Sequence, residues 1–151
     1  MFHTRWKRGA VAALAACAVV PVIGGCATTG PGTARPDEPA VIVRDGSNGH
    51  TVSVAVGERL EVILSSGYWT VQGSSRPHVL RQDGQTVYLP RPPGCGNIPG
   101  MGCVPIRTDF SALAPGTAVI TATRTSCGEA LRCGPGQQRY SLTVVVRAAR
   151  A

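Results

Sequence analysis

Ala118-Val119-Ile120-Thr121-Ala122-Thr123-Arg124-Thr125 and Arg139-Tyr140-Ser141-Leu142-Thr143-Val144-Val145-Val146-Arg147 are dense in β-branched residues. Such residues pack well on a pleated surface, so both segments read as strands. Val119, Thr121 and Thr123 then share one face of the first, and Ile120, Ala122 and Arg124 the other. Between the strands runs Ser126-Cys127-Gly128-Glu129-Ala130-Leu131-Arg132-Cys133-Gly134-Pro135-Gly136. That loop is too irregular for a tight hairpin and too short for a domain. A lone strand pair cannot bury its apolar face. The residues before Thr117 must therefore supply an opposing sheet.

They carry the pattern to do so. Ala40-Val41-Ile42-Val43 is a short first strand, followed by the turn cluster Asp45-Gly46-Ser47-Asn48-Gly49. His50 to Val56 alternates, with Val52, Val54 and Val56 on one side. Past Gly57-Glu58, Arg59 to Ser65 alternates again, with Leu60, Val62 and Leu64 inward. Tyr68-Trp69-Thr70-Val71 is a short aromatic strand, and Val79-Leu80 and Thr86 to Leu89 flank an Asp83-Gly84 turn. From Pro90 to Pro105 five prolines remove ladder donors and no strand is readable. Ile106 to Phe110 resumes a strand, and Leu113 to Thr117 turns into the final pair. About seven or eight short strands, with no helix pattern, predict an all-β, immunoglobulin-like sandwich over residues 40–147, with 148–151 a disordered tail. The expected core holds Val52, Val54, Leu60, Val62, Leu64, Val119, Leu142 and Val144, or else the opposite face throughout.

The N-terminus reads as an address. Met1 to Arg8 is basic, and Gly9 to Ile23 carries no charge. These are the n-region and h-region of a secretory signal, and the apolar run is short for a membrane span. It ends in Ile23-Gly24-Gly25-Cys26, which resembles the bacterial lipobox. That resemblance implies cleavage after residue 25, a diacylglycerol thioether on Cys26, and a protein anchored to the outer face of the cell membrane. Leu14-Ala15-Ala16-Cys17 also fits the pattern, but it would leave a very short apolar core, so Cys26 is preferred. Residues 26–39, dense in Pro, Gly and Thr, read as a flexible tether.

Loss of Arg5, Lys7 and Arg8 with the leader leaves 12 basic residues against 8 acidic ones. A small arginine excess of this kind describes a solvated surface. No basic run is dense enough for nucleic acid. Four cysteines follow the anchor: Cys95, Cys103, Cys127 and Cys133. An even number in an exported chain implies two disulfides. Three pairings are open; the short spacings favour Cys95 with Cys103 and Cys127 with Cys133. A zinc site would need a closer Cys-Cys spacing or flanking histidines. His50 and His78 have no nucleophile motif beside them, and Glu58 and Glu61 read as turn and surface charges. No cofactor is expected, and the chain reads as a non-enzyme.

Val54-Ala55-Val56-Gly57-Glu58-Arg59-Leu60-Glu61-Val62 resembles the early strand–turn–strand of the chagasin family, and Arg139 to Val144 is similar to its last strand. The resemblance covers most of Val52 to Arg147. It implies an immunoglobulin-like inhibitor of papain-type cysteine peptidases whose three loops enter the peptidase cleft. Here Ser65-Ser66-Gly67-Tyr68-Trp69 stands where the family has Asn-Pro-Thr-Thr-Gly-(Tyr/Phe)-x-Trp. Gly94 to Gly102 corresponds to the Gly-rich second loop. Arg124 holds the third loop's Arg position, with Thr125-Ser126 in place of Pro-Trp. The expectation is a binding module for an envelope protein or polymer, with the peptidase inhibitor as the alternative. Its site is predicted at one end of the sandwich, on Ser66, Gly67, Tyr68, Gly102, Arg124 and Arg132. Trp69 is read equally as a loop residue and as a core residue between the sheets.

Overall fold

A computed structural model describes residues 40–96 and 102–149. The predicted signal segment, Cys26, the predicted tether, residues 97–101 of the Gly94 to Gly102 loop and the last two residues of the tail lie outside the described residues. Among the described residues eight strands form two four-stranded sheets: β1 (Val41–Val43), β2 (Thr51–Ala55), β3 (Arg59–Leu64), β4 (Thr70–Ser74), β5 (Leu80–Tyr88), β6 (Ile106–Ala112), β7 (Gly116–Thr123) and β8 (Arg139–Arg147). One sheet has the order β1-β3-β6-β5 and the other β2-β8-β7-β4. That is the immunoglobulin-like order, with one inner face per sheet turned to a common core.

The alternation in the sequence explains the burial. Along β3, Leu60, Val62 and Leu64 are buried, while Arg59, Glu61 and Ile63 between them are half-exposed. On β8, Tyr140, Leu142, Val144 and Val146 point inward. They meet Leu80, Ile106 and Phe110 of the opposing sheet in one apolar cluster. A 3-10 turn at Asp45–Ser47 carries the chain from one sheet to the other. β1 therefore runs parallel to β3, and β2 parallel to β8. At the β2–β3 turn Gly57 takes φ 93°, and Glu58 Oε2 accepts the Ala55 N–H at 2.7 Å. A left-handed residue there favours glycine.

Three sequence expectations are corrected. Val119 does not enter the core: the hairpin register sets Val119 against Thr143 and Ile120 against Leu142, so Ala118, Ile120 and Ala122 face inward. Asp83-Gly84 is not a turn between two strands. β5 continues through it, and the excess residues are absorbed by an irregularity between Asp83 and Val87. There Thr86 reaches inward to share a 2.7 Å hydroxyl bond with buried Thr108. Finally, β4 begins at Thr70, which leaves Tyr68 and Trp69 in the preceding loop.

Tyr140 lies under the loop end of the core, edge-on to Trp69 with ring centroids 6.4 Å apart. Burial, reinforced by the charge of Asp45, pushes its phenol up to about 12 from the ordinary 10. The unfolded chain ionises first, so this stability term is intact below pH 10 and is lost as pH rises towards 12. Thermal melts across that window are expected to show a steep fall in wild type and a shallower one in Tyr140→Phe. Parallel curves would show that the transition belongs to other groups.

Candidate functional site

β3 and β5 both run antiparallel to β6, so the loops that leave them emerge at one end of the sheet. The β3–β4 loop (65–69), the β5–β6 loop (89–105) and the β7–β8 loop (124–138) meet there. The Asp45 turn braces the same end, where Asp45 Oδ2 accepts the Ser65 N–H at 2.9 Å.

Tyr68 joins all three loops. Its hydroxyl donates to Glu129 Oε1 of the β7–β8 loop at 3.0 Å. Its ring lies against Gly102 of the β5–β6 loop so closely that a Cβ on Gly102 would stand 2.9 Å from Tyr68 Cε2. Desolvation, followed by the hydrogen bond and the charge of Glu129, holds the Tyr68 phenol above its ordinary range. It is therefore a neutral donor at physiological pH.

Each outer loop is closed by its own disulfide, Cys95–Cys103 in one and Cys127–Cys133 in the other. Cys103, Gly102, Cys127, Gly128, Glu129, Arg91 and Gly96 line a cleft of about 230 Å³ between the two loops. The Cys127 N–H donates to Leu131 O at 2.9 Å and the Cys133 N–H to Thr125 O at 3.1 Å, so backbone bonds reinforce the second disulfide.

Trp69 belongs to the core. It is 8% exposed, and it caps the end of the cluster. The Arg124 guanidinium lies 4.2 Å from its ring centroid, a cation–π contact, and Arg124 Nε donates to Gln137 O at 2.9 Å. Arg124 thus seals the core at the loop end and lines a shallow recess with Thr123, Thr125, Gly136, Gln138 and Arg139.

The predicted site residues separate into groups. Tyr68 and Gly102 are in contact, and Gly67 is half-buried at the tip beside them. Ser66 is buried, its Oγ accepting the Tyr68 N–H and its carbonyl the Trp69 N–H, both at 3.3 Å. It shapes the turn. Arg132 is exposed, bridged through its backbone to Ser126. Sequence reasoning missed two residues, Glu129 and Tyr88. Glu129, the only acid of its loop, is the partner of Tyr68, and its solitude was the available signal. Tyr88, at the end of β5, is 59% exposed, and Leu131 at the loop tip is 65% exposed. His78 lies in the β4–β5 connection at the far end of the sandwich, and His50 is exposed. Among the described residues no three His, Cys, Asp or Glu side chains gather as metal ligands would.

The chain matches no protein-family profile and no curated protein sequence. Solved structures do resemble it. Amebosin shares 20% identity and a TM-score of 0.50, over 72% of this chain and 99% of amebosin. The cysteine protease inhibitor EhICP2 from Entamoeba histolytica shares 11% identity and a TM-score of 0.51, over 72% of this chain and 95% of the inhibitor. At these identities the likeness establishes a common fold.

Proposed function

We propose that the chain is a non-catalytic inhibitor of papain-type cysteine peptidases, carried on the outer face of the cell membrane by a lipid on Cys26. The observation that carries this reading is the joining of three loops into one rim by Tyr68. The shared fold with a cysteine protease inhibitor supports it. A rim fixed before binding loses little conformational entropy on docking. Gly67 lets a partner approach the backbone, while Tyr88, Leu131 and Arg132 offer the residue types and apolar area that anchor interfaces.

The first loop is short, with Ser66 and Trp69 turned inward. That favours a second reading, a rim that binds another envelope protein or polymer without entering a peptidase cleft. Titration of papain with the exported chain separates them. Stoichiometric loss of activity supports inhibition. Full activity at saturating protein, with a different protein recovered from envelope extract, supports the second reading. For the anchor, metabolic labelling with a fatty-acid probe should mark wild type and not Cys26→Ala; equal labelling would refute lipidation at that residue.

A further inference from the structure

The two disulfides of the rim differ in surroundings. Cys103 is exposed and Cys95 half-exposed. Cys127 is half-exposed as well, but Cys133 is 8% exposed, and both residues of that bridge are held by backbone hydrogen bonds. The exposed bridge adjoins the keystone contact, because Gly102 precedes Cys103 directly and is the residue that Tyr68 packs against. Arg91 donates to Gly96 O at 2.7 Å, which places a guanidinium one residue from Cys95. A positive charge there favours a departing thiolate.

We propose that Cys95–Cys103 is a thiol-reactive site, opened by dithiols before Cys127–Cys133, and that its opening releases Gly102 from Tyr68 and unlocks the rim. A thiolate of the dithiol attacks Cys103 Sγ, the exposed sulfur, and forms a mixed disulfide. The Cys95–Cys103 bond breaks and Cys95 leaves as a thiolate, which takes a proton. The second thiol of the reagent then displaces Cys103, which leaves as a thiolate and is protonated. The protein gains two electrons and two protons, and the dithiol is oxidised to its disulfide. Exchange of this kind depends on access to the attacked sulfur: Cys103 is exposed, whereas Cys133 is buried and Cys127 only half-exposed. The proposal is independent of the peptidase reading, because it requires no partner.

Graded dithiothreitol followed by iodoacetamide and peptide mass mapping tests the order. Cys95 and Cys103 should be alkylated at a dithiothreitol concentration at least about tenfold below that needed for Cys127 and Cys133. Simultaneous or reversed alkylation overturns the proposal. Proton NMR and hydrogen exchange test the consequence. The nuclear Overhauser contact between the Tyr68 ring and the Gly102 α-protons should vanish in the selectively reduced chain and in a Cys95→Ser/Cys103→Ser variant, while the β8 amides keep their protection. An undiminished Tyr68–Gly102 contact overturns the coupling. Loss at β8 as well would show general unfolding in place of a local release, and would overturn it equally.

Discussion

Trp69→Ala is expected to cost the domain about 3–5 kcal/mol, the range for removing a large buried aromatic. The ring fills the end of the core against Tyr140 and carries the Arg124 guanidinium on its other side. Truncation therefore opens a cavity and leaves Arg124 without the surface it lies on. For a domain of this size the loss should lower the melting temperature by about 10 °C or more. Arg124→Gln removes the cation–π contact together with the hydrogen bond to Gln137 O and should cost only about 1–2 kcal/mol. Trp69→Phe should fall between the two, since it shrinks the ring but also removes the indole N–H, which is buried without a partner. Urea unfolding of the three variants checks the order. A Trp69→Ala loss no larger than that of Arg124→Gln would refute a core role for Trp69.

The sandwich was legible because most strands obey one rule. Along β2, β3 and β8 apolar side chains alternate with polar ones, so the inward face can be read directly. β7 breaks the rule. Val119, Thr121 and Thr123 look as fit for burial as Ala118, Ile120 and Ala122, and only the pairing with β8 decides. A register that opposes Ile120 to Leu142 sends Val119 out, and a shift of one residue would exchange the two faces. Asp83-Gly84 misled for a different reason. Asp-Gly is a strong local turn signal, but Leu80 and Tyr88 both pair with the single strand β6, and that long-range pairing overrode it.

The site was legible in outline only. Alternate connections of an immunoglobulin-like sandwich share an end, which brought the three loops together on topology alone. The contact that joins them was beyond reach. Tyr68 and Glu129 are 61 positions apart, and no local pattern links a phenol to a carboxylate at that separation. Gly102 looked like one flexible residue in a Gly-rich loop. Its importance is steric, and it appears only when the Tyr68 ring is seen to occupy the space of its missing side chain.

Tyr68→Ala should therefore be the most damaging single change to binding at the rim. It removes the ring that fills the space beside Gly102 and the hydroxyl that holds Glu129. If the rim holds a papain-type peptidase as proposed, truncating such an interface anchor is expected to weaken the complex by about 2–4 kcal/mol. That corresponds to about 30- to 1,000-fold in Kd. Tyr68→Phe keeps the ring and loses only the hydroxyl's hydrogen bond to exposed Glu129, so a loss of less than about tenfold in Kd is expected. Neither change touches the apolar cluster, since Tyr68 lies outside it, so both melting temperatures should stay close to wild type. The dissociation rate is the sensitive quantity, because interface substitutions act mainly there. A third variant, Gly102→Val, approaches the contact from the other side: its side chain would displace the Tyr68 ring, and its dissociation rate should match that of Tyr68→Ala. If Tyr68→Ala and Gly102→Val both bind papain as wild type does, the rim is not the binding surface.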